Sequence, residues 1–117
     1  MNIHLQKSIK RYREKIALLK EHSRKKVYYN YYTGLHLAKG QEFLFYIGQK
    51  DCALCRVYIW NNCDRCPVFK ETGEVFCKNT PWQEIWTHCQ KENFFITKKF
   101  INLFEKELAF LEGLQSE

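Results

Sequence analysis

Two Cys-x-x-Cys units stand in the middle of the chain, Cys52-Ala53-Leu54-Cys55 and Cys63-Asp64-Arg65-Cys66, separated by seven residues. Ten residues then separate Cys66 from Cys77, and eleven separate Cys77 from Cys89. A Cys-x-x-Cys turn lets both sulfurs face one ion, and two such pairs complete a tetrahedron with sulfurs at about 2.3 Å from zinc. Soft thiolates select zinc or iron over magnesium and calcium. The spacing therefore predicts a closed structural zinc site built from four of Cys52, Cys55, Cys63, Cys66 and Cys77. The first four are the simplest set, but the short spacer leaves Cys77 able to replace Cys63 or Cys66. Five thiols also leave room for an iron–sulfur cluster as the alternative, although the spacings do not match a ferredoxin run. Lys50, Arg56 and Arg65 are close enough in sequence to offset the charge of a four-thiolate site.

The remaining polar residues do not assemble a catalytic set. A zinc deaminase pairs His-x-Glu with Pro-Cys-x-x-Cys. Here Pro67 follows the cysteine pair and no His-x-Glu is present. His-Glu-x-x-His, a phosphate-cradling glycine loop and a dinucleotide fingerprint are also missing. The expectation is a protein that binds and does not catalyse. Cys89 falls beside Trp82 and Trp86 on an expected helix and reads as a core cysteine. His88 reads as a surface or hydrogen-bonded residue, and His4, His22 and His36 have no ligand spacing.

Cys52-x-Leu54-Cys55, Cys63-x-x-Cys66-Pro67-Val68, Thr72-Gly73, Cys77, Thr80-Pro81-Trp82 and Trp86 form a pattern. Together with the closing Leu108-Ala109-Phe110-Leu111-Glu112, it resembles a group of small cysteine-rich proteins in bacteriophage genomes. The resemblance covers roughly residues 43–114. It implies a phage origin and a shared metal-type fold, and no particular activity. The first helix lies outside it.

That helix holds the charge. The net charge is +6, and residues 1–26 carry nine basic side chains against Glu14 and Glu21. The rest of the chain carries ten basic and eleven acidic groups, so the whole surplus is N-terminal. Lys7, Lys10, Arg11, Arg13, Lys15, Arg24, Lys25 and Lys26 are the expected partner-binding residues, followed by Tyr28, Tyr29, Tyr31 and Tyr32. Cations neutralise phosphates and aromatic rings stack on bases, so nucleic acid is the first expected partner. Alternate tyrosines on a strand point to opposite faces, so not all four can stack. The alternative is an interaction module that meets an acidic host protein, or blocks a host or anti-phage defence component, including by sequestering an anionic signal molecule. No run approaches the roughly 18 apolar residues of a membrane span. The N-terminal stretch lacks the apolar core of a secretory signal, so a cytoplasmic location is expected, that of the host for a phage protein.

The elements that must position these groups follow from periodicity. Ile3, Leu5, Ile9, Tyr12, Ile16 and Leu19 predict a basic amphipathic helix over residues 3–22. Residues 27–32 predict a short strand. Residues 35–47 fit a buried helix or a strand, and the helix is favoured between Gly40 and Gly48. The Cys-rich region spans 51–80, with a hairpin strand at Val57-Tyr58-Ile59-Trp60. Thr80-Pro81 opens a helix over 81–92. A last helix covers 97–114, with Phe100, Ile101, Phe104, Leu108, Leu111 and Leu114 on one side. The expected fold is mainly α, a single domain over residues 1–117. Its long first and last helices pack together, and a small β or knuckle element carries the metal-binding insertion.

Overall fold

The computed structural model describes residues 3–47 and 81–114. The Cys-rich region at 51–80, with its expected hairpin strand at 57–60, lies outside the described residues. Helix α1 spans Ile3–Glu21 and buries Leu5, Ile9, Tyr12, Ile16 and Leu19. That stripe advances by alternate steps of four and three, which keeps it on one side of a helix. Ile3, two residues before Leu5, is turned away from the stripe and is 59% exposed, so it does not belong to the core. Arg24, three residues past the helix, adopts the left-handed region at φ 70 and donates its N–H to the Ile96 carbonyl at 2.7 Å. The chain leaves α1 directly into a sheet.

Strand β1, Lys26–Asn30, occupies most of the expected strand segment. Segment 35–47 departs from the favoured helix and forms strands β2, Gly34–Leu37, and β3, Phe43–Phe45. Turn chemistry decides this. Asn30 Oδ1 accepts hydrogen bonds from the amides of Tyr32 and Thr33 at 2.8 and 3.1 Å, and Gly34 at φ 97 returns the chain along β1. Gly40 at φ 79 and Gln41 at φ 55 return it again along β2.

Helix α2, Pro81–Cys89, begins on the proline, whose missing N–H is no loss in a first turn. Strand β4, Phe94–Phe95, pairs with β1, and the antiparallel sheet runs β3-β2-β1-β4. Helix α3, Lys98–Leu114, is capped by Thr97, whose hydroxyl oxygen accepts the Phe100 amide at 3.2 Å. Among the described residues helix predominates and the antiparallel sheet is small, as expected.

The helices cover one face of the sheet. Helix α3 packs against both α1 and α2. Phe45 of β3 meets Phe104 of α3 at 5.7 Å between ring centres, and Tyr29 of β1 meets Trp86 of α2 at 5.6 Å. Val27, Leu35, Ile85, Ile96 and Phe100 are sealed from solvent between the layers. Each long helix also sends one charged side chain into this core, Lys15 from α1 and Glu107 from α3, opposite in sign.

Gly34 is required twice over. Its φ of 97 disfavours any side chain, and an added Cβ would lie 2.8 Å from the Phe45 carbonyl oxygen and 2.9 Å from Phe43 Cε2. Gly40 has a similar φ with nothing within 4 Å of an added Cβ. Gly40→Ala should therefore cost about 1–2 kcal/mol, the left-handed penalty alone. Gly34→Ala should cost clearly more, because backbone must also move. Urea midpoints of the two variants test this ordering, and equal losses would contradict it.

Candidate nucleic-acid interface

The expected metal ligands Cys52, Cys55, Cys63, Cys66 and Cys77 all lie outside the described residues. Among the described residues, no group of three or more metal-binding side chains comes together. Cys89 is buried, as a core cysteine should be, and burial pushes its thiol up to about 12. A buried thiol held protonated in this way is a poor nucleophile. His88 lies against Phe94 and Phe100, at 5.0 and 4.9 Å between ring centres. Burial first, then the charges of Lys91 and Lys99, lowers its pKa below that of an ordinary histidine.

The N-terminal cations divide into two groups. Lys7, Lys10, Arg11 and Arg13 are exposed on α1, and Arg24, Lys25 and Lys26 are exposed where α1 turns into β1. Arg13 forms a 2.7 Å ion pair with Glu112 of α3, with both side chains largely in solvent. Such a pair contributes little to stability and leaves the guanidinium at the surface.

Lys15 corrects the sequence reading. Its side chain is only 6% exposed, and its ammonium lies 5.1 Å from the Tyr12 ring centre and 5.6 Å from that of Phe45. It is a core cation resting on aromatic faces, and it is not available to a partner. The signal was present in the sequence, because Lys15 stands three residues after Tyr12 and four before Leu19, at the edge of the apolar stripe.

The tyrosines divide as strand geometry requires. Tyr29 points inward, and its hydroxyl donates to the Ile47 carbonyl at 2.6 Å. Burial, followed by the proximity of Cys89 and Tyr31, pushes that hydroxyl up to about 12, so it remains a donor. Tyr28 points to the other face, opposite His36 of β2, and the two rings stack at 5.2 Å and 11°. His36 is opposite Phe43 of β3, with ring centres 5.7 Å apart, and Phe43 in turn meets Tyr46 at 4.9 Å. Lys26 is opposite Phe95 of β4 on this same face.

A bulge makes this arrangement possible. Leu35 pairs with Phe45 while the next residue, His36, pairs with Phe43, so β3 holds one extra residue, Leu44. The extra residue lets Leu44 and Phe45 both bury while Phe43 turns outward. The clustering of His36, Phe43 and Tyr46, with Phe95 on the same face, is not legible in local spacing. The signal for His36 is its register opposite Tyr28, which appears only once the β1–β2 hairpin is recognised.

A second cationic surface lies on the helical side. A groove of about 930 Å³ between α2 and α3 is bordered by Lys91, Lys99 and Lys106, with Glu84 and His88 beside them. No helix among the described residues is long and apolar enough to cross a membrane. Comparison with known protein families, with curated proteins and with solved structures finds no match to this chain.

Proposed function

We propose that this chain is a small, non-catalytic nucleic-acid-binding protein. The cations of α1 and the α1–β1 turn meet the phosphate backbone, and a thiolate zinc site staples the fold. The observation that carries the reading is the exposure of Lys7, Lys10, Arg11, Arg13, Arg24, Lys25 and Lys26 along one continuous stretch of chain. Only Glu14 and Glu21 oppose them within residues 1–26. The apolar side of α1 is occupied by α3 and the core, so the basic side is what the helix presents outward. Four of Cys52, Cys55, Cys63, Cys66 and Cys77 are the proposed ligands, on spacing and thiolate chemistry.

Reversing Lys7, Lys10 and Arg11 to glutamate should weaken oligonucleotide binding at least tenfold, an order-of-magnitude figure for losing several phosphate contacts. The log–log salt slope should become shallower by about 2, since each lost single-strand phosphate contact removes about 0.7. The circular dichroism spectrum and melting temperature should hold, because Lys7, Lys10 and Arg11 are surface residues. Unchanged affinity in a folded triple variant would eliminate this reading.

The α2–α3 groove favours a second reading, in which Lys91, Lys99 and Lys106 meet an acidic host protein or a small anionic signal. A phage protein of that kind would act by blocking or sequestering a defence component. Charge reversal in the groove that abolishes binding, with the α1 triple variant unaffected, would decide for it.

A further inference from the structure

We propose that the solvent-facing side of the sheet is a base-stacking platform, and that the ligand is therefore a single-stranded nucleic acid. The inference rests on the nucleic-acid reading above and specifies its substrate class.

The outer face of an antiparallel sheet is ordinarily its polar side. Here every strand carries a ring at one outward position: Phe95 on β4, Tyr28 on β1, His36 on β2 and Phe43 on β3, with Tyr46 next to Phe43. Phe95, Phe43 and Tyr46 are 55%, 46% and 43% exposed. Tyr28 and His36 are half-buried against each other. Strands lie about 4.8 Å apart, so four of them give a surface wide enough for two or three bases.

The rings are held in place before any ligand arrives. His36 Nδ1 lies 3.2 Å from the Gln41 carbonyl, and Nε2 lies 2.9 Å from the Thr33 hydroxyl. Nε2 also lies 3.1 Å from the Thr33 carbonyl oxygen, so contacts at both ring nitrogens hold the imidazole in place. Phe43 and Tyr46 rest over the space above Gly34, where a Cβ would come within 2.9 and 3.2 Å of them. A rigid aromatic surface loses little side-chain entropy on binding.

Charge selects the occupant. Lys26 stands among the rings opposite Phe95, and Arg24 and Lys25 precede it in the exposed turn that enters β1. Within residues 24–47 and 94–96 the one carboxylate is Glu42, whose Oε2 lies 4.0 Å from His22 Nε2. A second copy of the same face would set Lys26 against like charges, whereas a polyanion is matched by it. A duplex hides its base faces inside the stack, but a single strand offers them. Phosphates on Arg24, Lys25 and Lys26 would bring the bases over the sheet.

The test uses the full chain, a short labelled oligothymidylate, an oligouridylate and a blunt duplex of the same length. The wild type should bind either single strand more tightly than the duplex. The Phe43→Ala/Phe95→Ala double variant removes two exposed rings and no core packing. It should lose about tenfold or more in single-strand affinity, with salt slope and duplex affinity unchanged. Phe43→Trp should retain binding. Wild-type single-strand affinity in the folded double variant would overturn the platform. If the Lys7, Lys10, Arg11 charge reversal still weakened binding in that case, the nucleic-acid reading would survive and this inference alone would fall. A wild type that binds neither form would remove both. A dimer in sedimentation velocity that the double variant turns into a monomer would instead make the face a self-interface and overturn the proposal.

Discussion

Replacing Phe104 by alanine should lower the unfolding free energy by about 3–5 kcal/mol, the range for deleting a sealed aromatic side chain. Phe104 is 1% exposed, and its ring meets three others: Tyr12 of α1 at 6.0 Å, Phe45 of β3 at 5.7 Å and Phe100 of α3 at 5.2 Å. The residue thus ties the first helix, the sheet and the last helix at one point. The cost combines lost transfer free energy with a cavity that three elements in mutual contact cannot close. Domains of this size are stabilised by about 5–15 kcal/mol, so the variant should lose between about a fifth and all of that stability. Urea unfolding with an unchanged slope measures the loss directly. A loss under about 1 kcal/mol would show that this three-way contact does not organise the core.

Under the proposed zinc site, removing the metal should have a larger effect still. A thiolate zinc site contributes an apparent binding free energy of about 10–16 kcal/mol at neutral pH in peptides that fold on the ion, and a small domain can depend on it. Cys52→Ser and Cys55→Ser should therefore release the metal and collapse the stability of the fold. Cys89→Ser should be mild, about 1–3 kcal/mol for placing a hydroxyl where burial excludes water. The contrast follows from chemistry at the two places. Paired cysteines two residues apart are spaced for an ion, whereas Cys89 is a single thiol packed into the core and pushed up to about 12. Thermal unfolding with elemental analysis on the same samples reads both quantities. Equal, small losses from all three serine variants would count against a metal ligand in either Cys-x-x-Cys unit.

Much of the frame was legible in the sequence because it is periodic. The α1 stripe from Leu5 to Leu19, the apolar residues of α3, and the inward Cys89 each follow from local spacing. The alternation of Tyr28 and Tyr29 across a strand was legible for the same reason. Phe43-Leu44-Phe45-Tyr46-Ile47 was not, since an unbroken apolar run has no period with which to separate helix from strand. What settled that segment was backbone at Gly34, Gly40 and Gln41, where positive φ values turn the chain twice.

The aromatic face was harder again. Its rings come from four strands, and Phe95 joins them only through the pairing of Lys26 with Phe95 that follows α2. Neither that register nor the bulge at Leu44 has a local signature. Lys15 is hidden for a different reason: a charge count along α1 is blind to the side of the helix each cation occupies.

Salt-dependent binding of a labelled single-stranded oligonucleotide to the unmodified protein tests the central claim most directly. Lys7, Lys10, Arg11, Arg13, Arg24, Lys25 and Lys26, the seven exposed cations assigned to partner binding, each neutralise at most one phosphate and predict saturable binding with a log–log salt slope of about −2 to −5. Absence of binding at low salt, or an affinity that does not change with salt, would contradict the account.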